Sequence, residues 1–181
     1  MNVFYIDKDP VECARQHCDK HVVKMIIEYA QLLSTAHRVL DGEEYEGRTQ
    51  SGRKARRFRL PDDRENYMYM ASHLKHPDEI WIQQSHSNYL WVSQLFHALC
   101  DEYTHRYGKI HETHRKLYGK LSRLPENIPS GFMTEPPQCM PDYCKSARSI
   151  DAYHKYYIKE KARFAKWTKR QIPEWFKNAS I

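Results

Sequence analysis

HCDKHVVKMIIEYAQLLST, residues 17–35, carries the pattern that decides how this chain folds. His17, His21, Lys24, Glu28, Gln31 and Thr35 recur at steps of three or four residues, which puts all six on one face of a helix. Val22, Met25, Ile26, Tyr29, Leu32, Leu33 and Ala36 fall on the other side, so the packing face is complete without the polar stripe. An ordinary solvated stripe is built from Lys, Glu, Ser and Ala. This one gathers groups that move protons, pair with phosphate or read hydrogen-bonding edges, and it marks a candidate site against the alternative of a wet face that happens to hold two histidines.

Working outward, Asp9-Pro10 supplies a cap and a first-turn proline, so the spacing predicts one long helix from about residue 11 to about residue 40, ended by Asp41-Gly42. NVFYI at residues 2–6 reads as a short strand or an anchored extended segment, and Pro61-Asp62-Asp63 as the start of a second helix running toward His73. Helical spacing returns from Ile80 to Tyr107, with a possible break at Ser85-His86-Ser87 and a stop at Gly108. Further helices are expected over residues 111–121 and 149–169, and Pro173-Glu174-Trp175-Phe176 as an aromatic clasp. Five prolines between residues 125 and 143 predict an ordered surface loop. The fold class is therefore all-α: a compact single-domain helical bundle over residues 1–181, with one short N-terminal strand at most.

The net charge of +6 has a single address, since residues 48–59 hold Arg48, Arg53, Lys54, Arg56, Arg57 and Arg59 with no acid, and the remainder balances at 23 basic against 23 acidic. The surrounding stretch, about 42–62, reads as a mobile loop that meets polyanions, with Arg53, Lys54, Arg56 and Arg57 on a nucleic-acid backbone. Thirteen tyrosines and four tryptophans suit stacking on bases. The alternative is a solubilising loop. No apolar run is long enough for a membrane span and MNVFYIDKDP lacks the features of a signal peptide, so a soluble, cytoplasmic protein without membrane partners is expected. Five cysteines, an odd number, read as reduced thiols.

Lys24 and Glu28 lie one turn apart, a spacing at which the carboxylate serves as a general base or simply as an ion-pair partner. His17 and His21 could share a metal, but HCDKH lacks the glutamate of zinc-protease helices. Cys13/Cys18 and Cys139/Cys144 are spaced too widely for ordinary structural zinc pairs, so no metal or other cofactor is assigned. Glu102, Arg106, Lys109 and His111 form a second polar group, with phosphate contacts expected at Arg106 and Lys109. Asn88 and Trp91 combine the amide and ring that a base pocket uses, although aromatics at helical spacing also build cores.

DKHVVKMIIEYAQLLSTAHRVL, with EYTHRYGK and EKARFAKW, resembles small phage and bacterial proteins grouped with the pyrimidine-dimer DNA glycosylases of the endonuclease V type. ECARQHCDKH, including Gln16-His17, is similar to that family's first helix. The resemblance implies a helical DNA-repair enzyme that cleaves the glycosidic bond of a damaged pyrimidine and then the backbone, through an imine and without a metal, in the host cytoplasm if the chain is phage-encoded. The family's catalytic amine belongs to a threonine exposed by methionine removal, whereas Asn2 follows Met1 here, and the family's glutamate position falls on Lys24. Lys24 is then the candidate nucleophile, Glu28 the base or stabiliser and His21 a third catalytic group, with His17, Lys20, Gln31, Asn88, Trp91, Glu102, Arg106, Lys109 and His111 around a DNA or nucleotide substrate. Two rivals remain: a nucleotide-processing or base-modifying enzyme using the same pocket, with a metal on His17 and His21, and a non-catalytic nucleic-acid-binding or inhibitor protein. No oligomeric state follows from the sequence.

Overall fold

The computed structural model describes residues 2–49 and 51–178; Met1, Gln50 and the last three residues lie outside them. Among the described residues the chain forms seven α-helices and one two-stranded antiparallel sheet. The helices are α1 Pro10–Gln16, α2 Asp19–Asp41, α3 Pro77–Gln84, α4 His86–Tyr107, α5 Glu112–Leu117, α6 Ser149–Tyr156 and α7 Glu174–Lys177, and the strands are β1 Glu43–Arg48 and β2 Lys54–Arg59. No helix among the described residues is long and apolar enough to cross a membrane.

Local chemistry sets many of the boundaries. Asp9 accepts the amides of Val11 and Glu12 and Pro10 opens α1, Ser85 both ends α3 and caps α4, and Gly108 terminates α4 in the left-handed conformation at φ 64°. Central helix α2 packs on α4 and α3, and α1 packs on α4. Val22, Met25, Ile26, Tyr29, Leu32, Leu33 and Ala36 are all buried, as the spacing predicts.

Several departures from the sequence expectations have identifiable tertiary causes. The long helix is broken at His17-Cys18, both extended, because the C-terminal chain docks into the gap. The Trp167 indole N–H donates to the Gln16 carbonyl at 2.8 Å, the Asp19 N–H donates to the Lys166 carbonyl at 2.8 Å, and the Asp19 carboxylate receives the Thr168 amide and hydroxyl. Residues 3–6 are buried but form no strand, since among the described residues no strand lies beside them to pair with. Side chains take the amides instead: Val3 N–H donates to Asp78 Oδ2 and Phe4 N–H to the Tyr29 hydroxyl.

The helix expected after Pro61 shrinks to a single turn of 3-10 helix, Asp63–Asn66. Carbonyls that a longer helix would use internally are taken by the Arg38 guanidinium, which donates to Glu65, Met68 and Tyr69. The helix expected over residues 149–169 ends as α6 at Tyr156 and passes into a π-helical turn, Tyr157–Lys161.

The basic arm is the largest correction to the all-α reading. It folds as a β-hairpin, with Glu46 opposite Arg56 and Tyr45 opposite Arg57, rather than as a loop. Diagonal ion pairs, Arg56 with Glu44 and Lys54 with Glu46 at 3.0 Å, zip the acidic strand to the basic one. Gly42 joins α2 to β1 where an added Cβ would collide with the Arg38 carbonyl and crowd Phe58. The proline-rich loop is ordered as expected, held by Ser85, Ser87 and Asn88 against residues 131–134.

Candidate functional site

The break at residue 17 divides the polar stripe. His17, His21 and Thr35 are buried, Lys24 is exposed, and Glu28 and Gln31 are half-buried on the outer face of α2. His17 donates from Nδ1 to the Cys13 carbonyl at 2.7 Å and accepts the Tyr29 hydroxyl at Nε2. Burial, the first cause, and the nearby Arg106 cation hold its pKa down at about 4. His21 lies against the Phe4 ring at 4.2 Å between centroids and hydrogen-bonds the Tyr157 hydroxyl through Nδ1. Burial, then His17, Lys161 and Lys24, push it down to about 2, so it is a neutral ring at physiological pH.

Tyr157 opens the π-helical turn, and Lys161, which closes it, donates to the Tyr156 hydroxyl at 3.0 Å and covers that ring. Tyr156 in turn stacks parallel to Phe4. Lys24 Nζ sits 3.0 Å from Glu28 Oε1, with Val23 40% and Ile27 41% exposed beside it. Burial holds His76 below the usual histidine range, and Glu28 is near enough to oppose that shift. Lys24 and Glu28 thus pair on the outer face of α2, and Lys161 and Tyr156 pair at the π-helical turn whose Tyr157 holds His21. Sequence reasoning missed Tyr156, Lys161 and His76, because the first two lay inside an expected regular helix and His76-Pro77 read only as a helix breaker.

A groove of about 610 Å³ continues from His76 toward the hairpin, lined by Thr49, Ala55, Arg56, Arg57, His73 and Lys75 among others. Strand alternation puts Tyr45, Arg57 and Arg59 on the face opposite Glu44, Glu46, Lys54 and Arg56. Of the four expected phosphate ligands, Lys54 and Arg56 are thus committed to intramolecular ion pairs, while Arg57 donates to the Arg48 carbonyl and Arg53 is exposed near the tip. The hairpin's six cations face three carboxylates, Glu43, Glu44 and Glu46, which leaves a net +3.

The second expected constellation belongs to the scaffold. Arg106 is buried and donates to Glu102 at 2.7 Å, Asp19 at 2.9 Å and the Arg15 carbonyl at 2.9 Å, while Arg170 grips both oxygens of Glu102. The cleft over Glu102 is lined by Val11, Arg15, Ala98, Asp101, His105 and Arg170, without His17, His21, Lys24, Glu28 or Gln31. Asn88 spends its amide on the Trp81 carbonyl and Thr134, and the buried Trp91 indole donates to the Lys8 carbonyl. Neither forms a base pocket. Lys20 lies exposed over the Phe164 ring at 4.8 Å, Lys109 is exposed beyond α4, and His111 caps α5 by accepting the Thr113 amide.

Elsewhere beside α2, burial pushes the Asp78 carboxyl up to about 7 and holds Glu79 well above the usual carboxylate range. All five cysteines are free thiols, as their odd number predicted. Comparison with known protein families, curated proteins and solved structures finds no match to this chain.

Proposed function

We propose that this chain acts on DNA as a glycosylase/lyase for damaged pyrimidines, with the Lys24 amine as nucleophile and Glu28 as its base. The observation that carries the reading is the 3.0 Å contact between Lys24 Nζ and Glu28 on an exposed face of α2, in a chain that also carries a groove lined by Arg56, Arg57 and Lys75 beside the hairpin. An amine facing solvent can reach a sugar carbon, and a carboxylate one turn away can take its proton. Val23 and Ile27 offer apolar surface to a base unstacked from the duplex.

In this reaction Lys24 attacks C1′, the glycosidic bond breaks, and the base leaves with the bonding electrons and a proton. The sugar opens to an imine on Lys24. Glu28 then removes a C2′ proton, the C3′–O bond breaks to expel phosphate, and water hydrolyses the imine to restore the amine. Neutral His21 acts as a positioning group beneath this surface, held by Tyr157 and Phe4.

Borohydride reduction on ultraviolet-damaged duplex is expected to trap a covalent protein–DNA adduct, and Lys24→Ala to abolish it. Lys24 has a side chain 68% exposed, so the substitution should shift stability by no more than about 0.5 kcal/mol. Wild-type protein that gives neither adduct nor strand cleavage overturns the lyase reading. An adduct that survives in Lys24→Ala moves the amine elsewhere, with Lys161 next to be substituted.

The hairpin's share of binding is separable from the chemistry. Replacing Arg53 and Arg57 by serine should lower the slope of log affinity against log salt by about 0.9 for each lost phosphate contact. Replacing Lys54 and Arg56 should change it less, since each already neutralises a glutamate. Equal effects in a salt titration, or none, would remove the hairpin from the interface.

A further inference from the structure

His76, Asp78 and Cys139 come together where the start of α3, the proline-rich loop and the N-terminal segment meet. Each offers one ligand atom, an imidazole nitrogen, a carboxylate oxygen and a thiol sulfur, and these atoms lie within 4.8 Å of one another. His76 and Asp78 are two residues apart in the chain, and the fold brings the distant Cys139 to them. Chemically the set is unlike a chance patch of surface acids, because it mixes the nitrogen, oxygen and sulfur donors that borderline-soft divalent cations take.

A second observation points to a ligand independently. The Asp78 side chain is 0% exposed; its Oδ2 accepts the Val3 amide at 2.9 Å, but its Oδ1 is buried with no hydrogen-bond partner. A buried carboxylate oxygen left unpaired costs free energy, and a cation is the partner that removes the cost most completely. His76 and Cys139 are only half-buried, so an ion can enter and a fourth, exchangeable position stays open to solvent.

We infer that His76, Asp78 and Cys139 form a site for a zinc-class divalent cation. Bond lengths of about 2.0–2.3 Å put tetrahedral ligand atoms roughly 3.3–3.7 Å apart, so the cluster must close by about 1 Å. Cys139 sits in a loop and His76 at the N-cap of α3, where its Nδ1 accepts the Asp78 amide at 3.2 Å, so closure moves Cys139 and loosens that cap bond while Asp78 stays anchored in the first turn of α3. Thiolate and carboxylate together neutralise the divalent charge. The bound ion would staple the N-terminal segment, whose Asn2 side chain already donates to the Cys139 carbonyl at 2.5 Å, to α3.

The site does not depend on the glycosylase reading, and its test needs no DNA. Full-length protein stripped with chelator and titrated with Co²⁺ should bind one equivalent, develop a thiolate-to-cobalt charge-transfer band, and melt at higher temperature with Zn²⁺ than without. Cys139→Ala should abolish the band and weaken Zn²⁺ binding at least tenfold, while melting like wild type in chelator. His76→Gln should weaken binding at least tenfold too, and it decides the matter if Cys139→Ala fails to fold. Absence of the band in wild-type protein overturns the proposal, as does a band that persists in Cys139→Ala. Unchanged Zn²⁺ affinity in His76→Gln overturns it as well.

Discussion

Arg38→Met should destabilise the protein by about 3–5 kcal/mol, the range found when one partner of a buried ionic network is removed. The Arg38 side chain is 1% exposed, and its guanidinium donates to the carbonyls of Phe58, Glu65, Met68 and Tyr69 and to the Glu65 carboxylate at 2.6 Å. Methionine approximates the volume but donates nothing, so several buried carbonyls lose their partner at once. Because those carbonyls belong to the end of β2 and the irregular segment after it, the hairpin should loosen before the helical core does. Urea unfolding should show the midpoint falling with little change in slope, and hydrogen exchange should show protection lost first across residues 54–70. A loss below about 1 kcal/mol would mean that water replaces the guanidinium and that the network does not hold the hairpin.

Acidification from pH 6.5 to 4 should remove at least about 3 kcal/mol of stability. Burial is the leading cause that holds His17 and His37 at about 4 and His21 at about 2, against an unfolded value near 6.5. Unfolded chain therefore binds more protons than folded chain in this window. The stability these neutral rings contribute is complete above pH 6.5 and drains away as pH falls toward their folded values. Each contributes about 1.4 kcal/mol per pH unit over its window.

Asp78 and Glu79, raised by burial, act in the opposite sense and offset part of that loss. His76, His111, His114 and His154, all lowered chiefly by burial, restore part of the loss. The decisive ring is His37, whose Nδ1 accepts Arg64 at 3.0 Å while Nε2–H donates to the Arg123 carbonyl at 3.0 Å. Protonation would set a cation against the guanidinium. Urea midpoints at pH 7.5, 6 and 5 measure the slope, and His37→Asn should flatten it by about 1.4 kcal/mol per unit. Stability that is level from pH 7 to 5 in the wild type would sink this account.

Sequence alone determined the elements that depend on neighbours along the chain. Asp9-Pro10, Ser85 and Gly108 act on backbone within a few residues, and a 3.6-residue period selects which side of α2 is buried. The Lys24–Glu28 pair was legible for the same reason, being one helical turn apart. Tertiary structure decided everything that pairs distant segments. EEYEGR and KARRFR have no apolar alternation to announce strands, and become strands because cross-strand charges and the Arg38 carbonyl network hold them together. The break at His17 exists because Lys166 and Trp167 supply partners for the backbone groups exposed there, and the π-helical turn that carries Lys161 follows an otherwise regular α6. Asn88, Glu102 and Arg106 had the residue types of a binding site, but their hydrogen-bonding capacity is consumed by the Trp81 carbonyl, Thr134, Asp19 and Arg170. His76, Asp78 and Cys139 show the same limit from the other side: a ligand set is defined by distances in space, and no local pattern records a distance that only the folded chain creates.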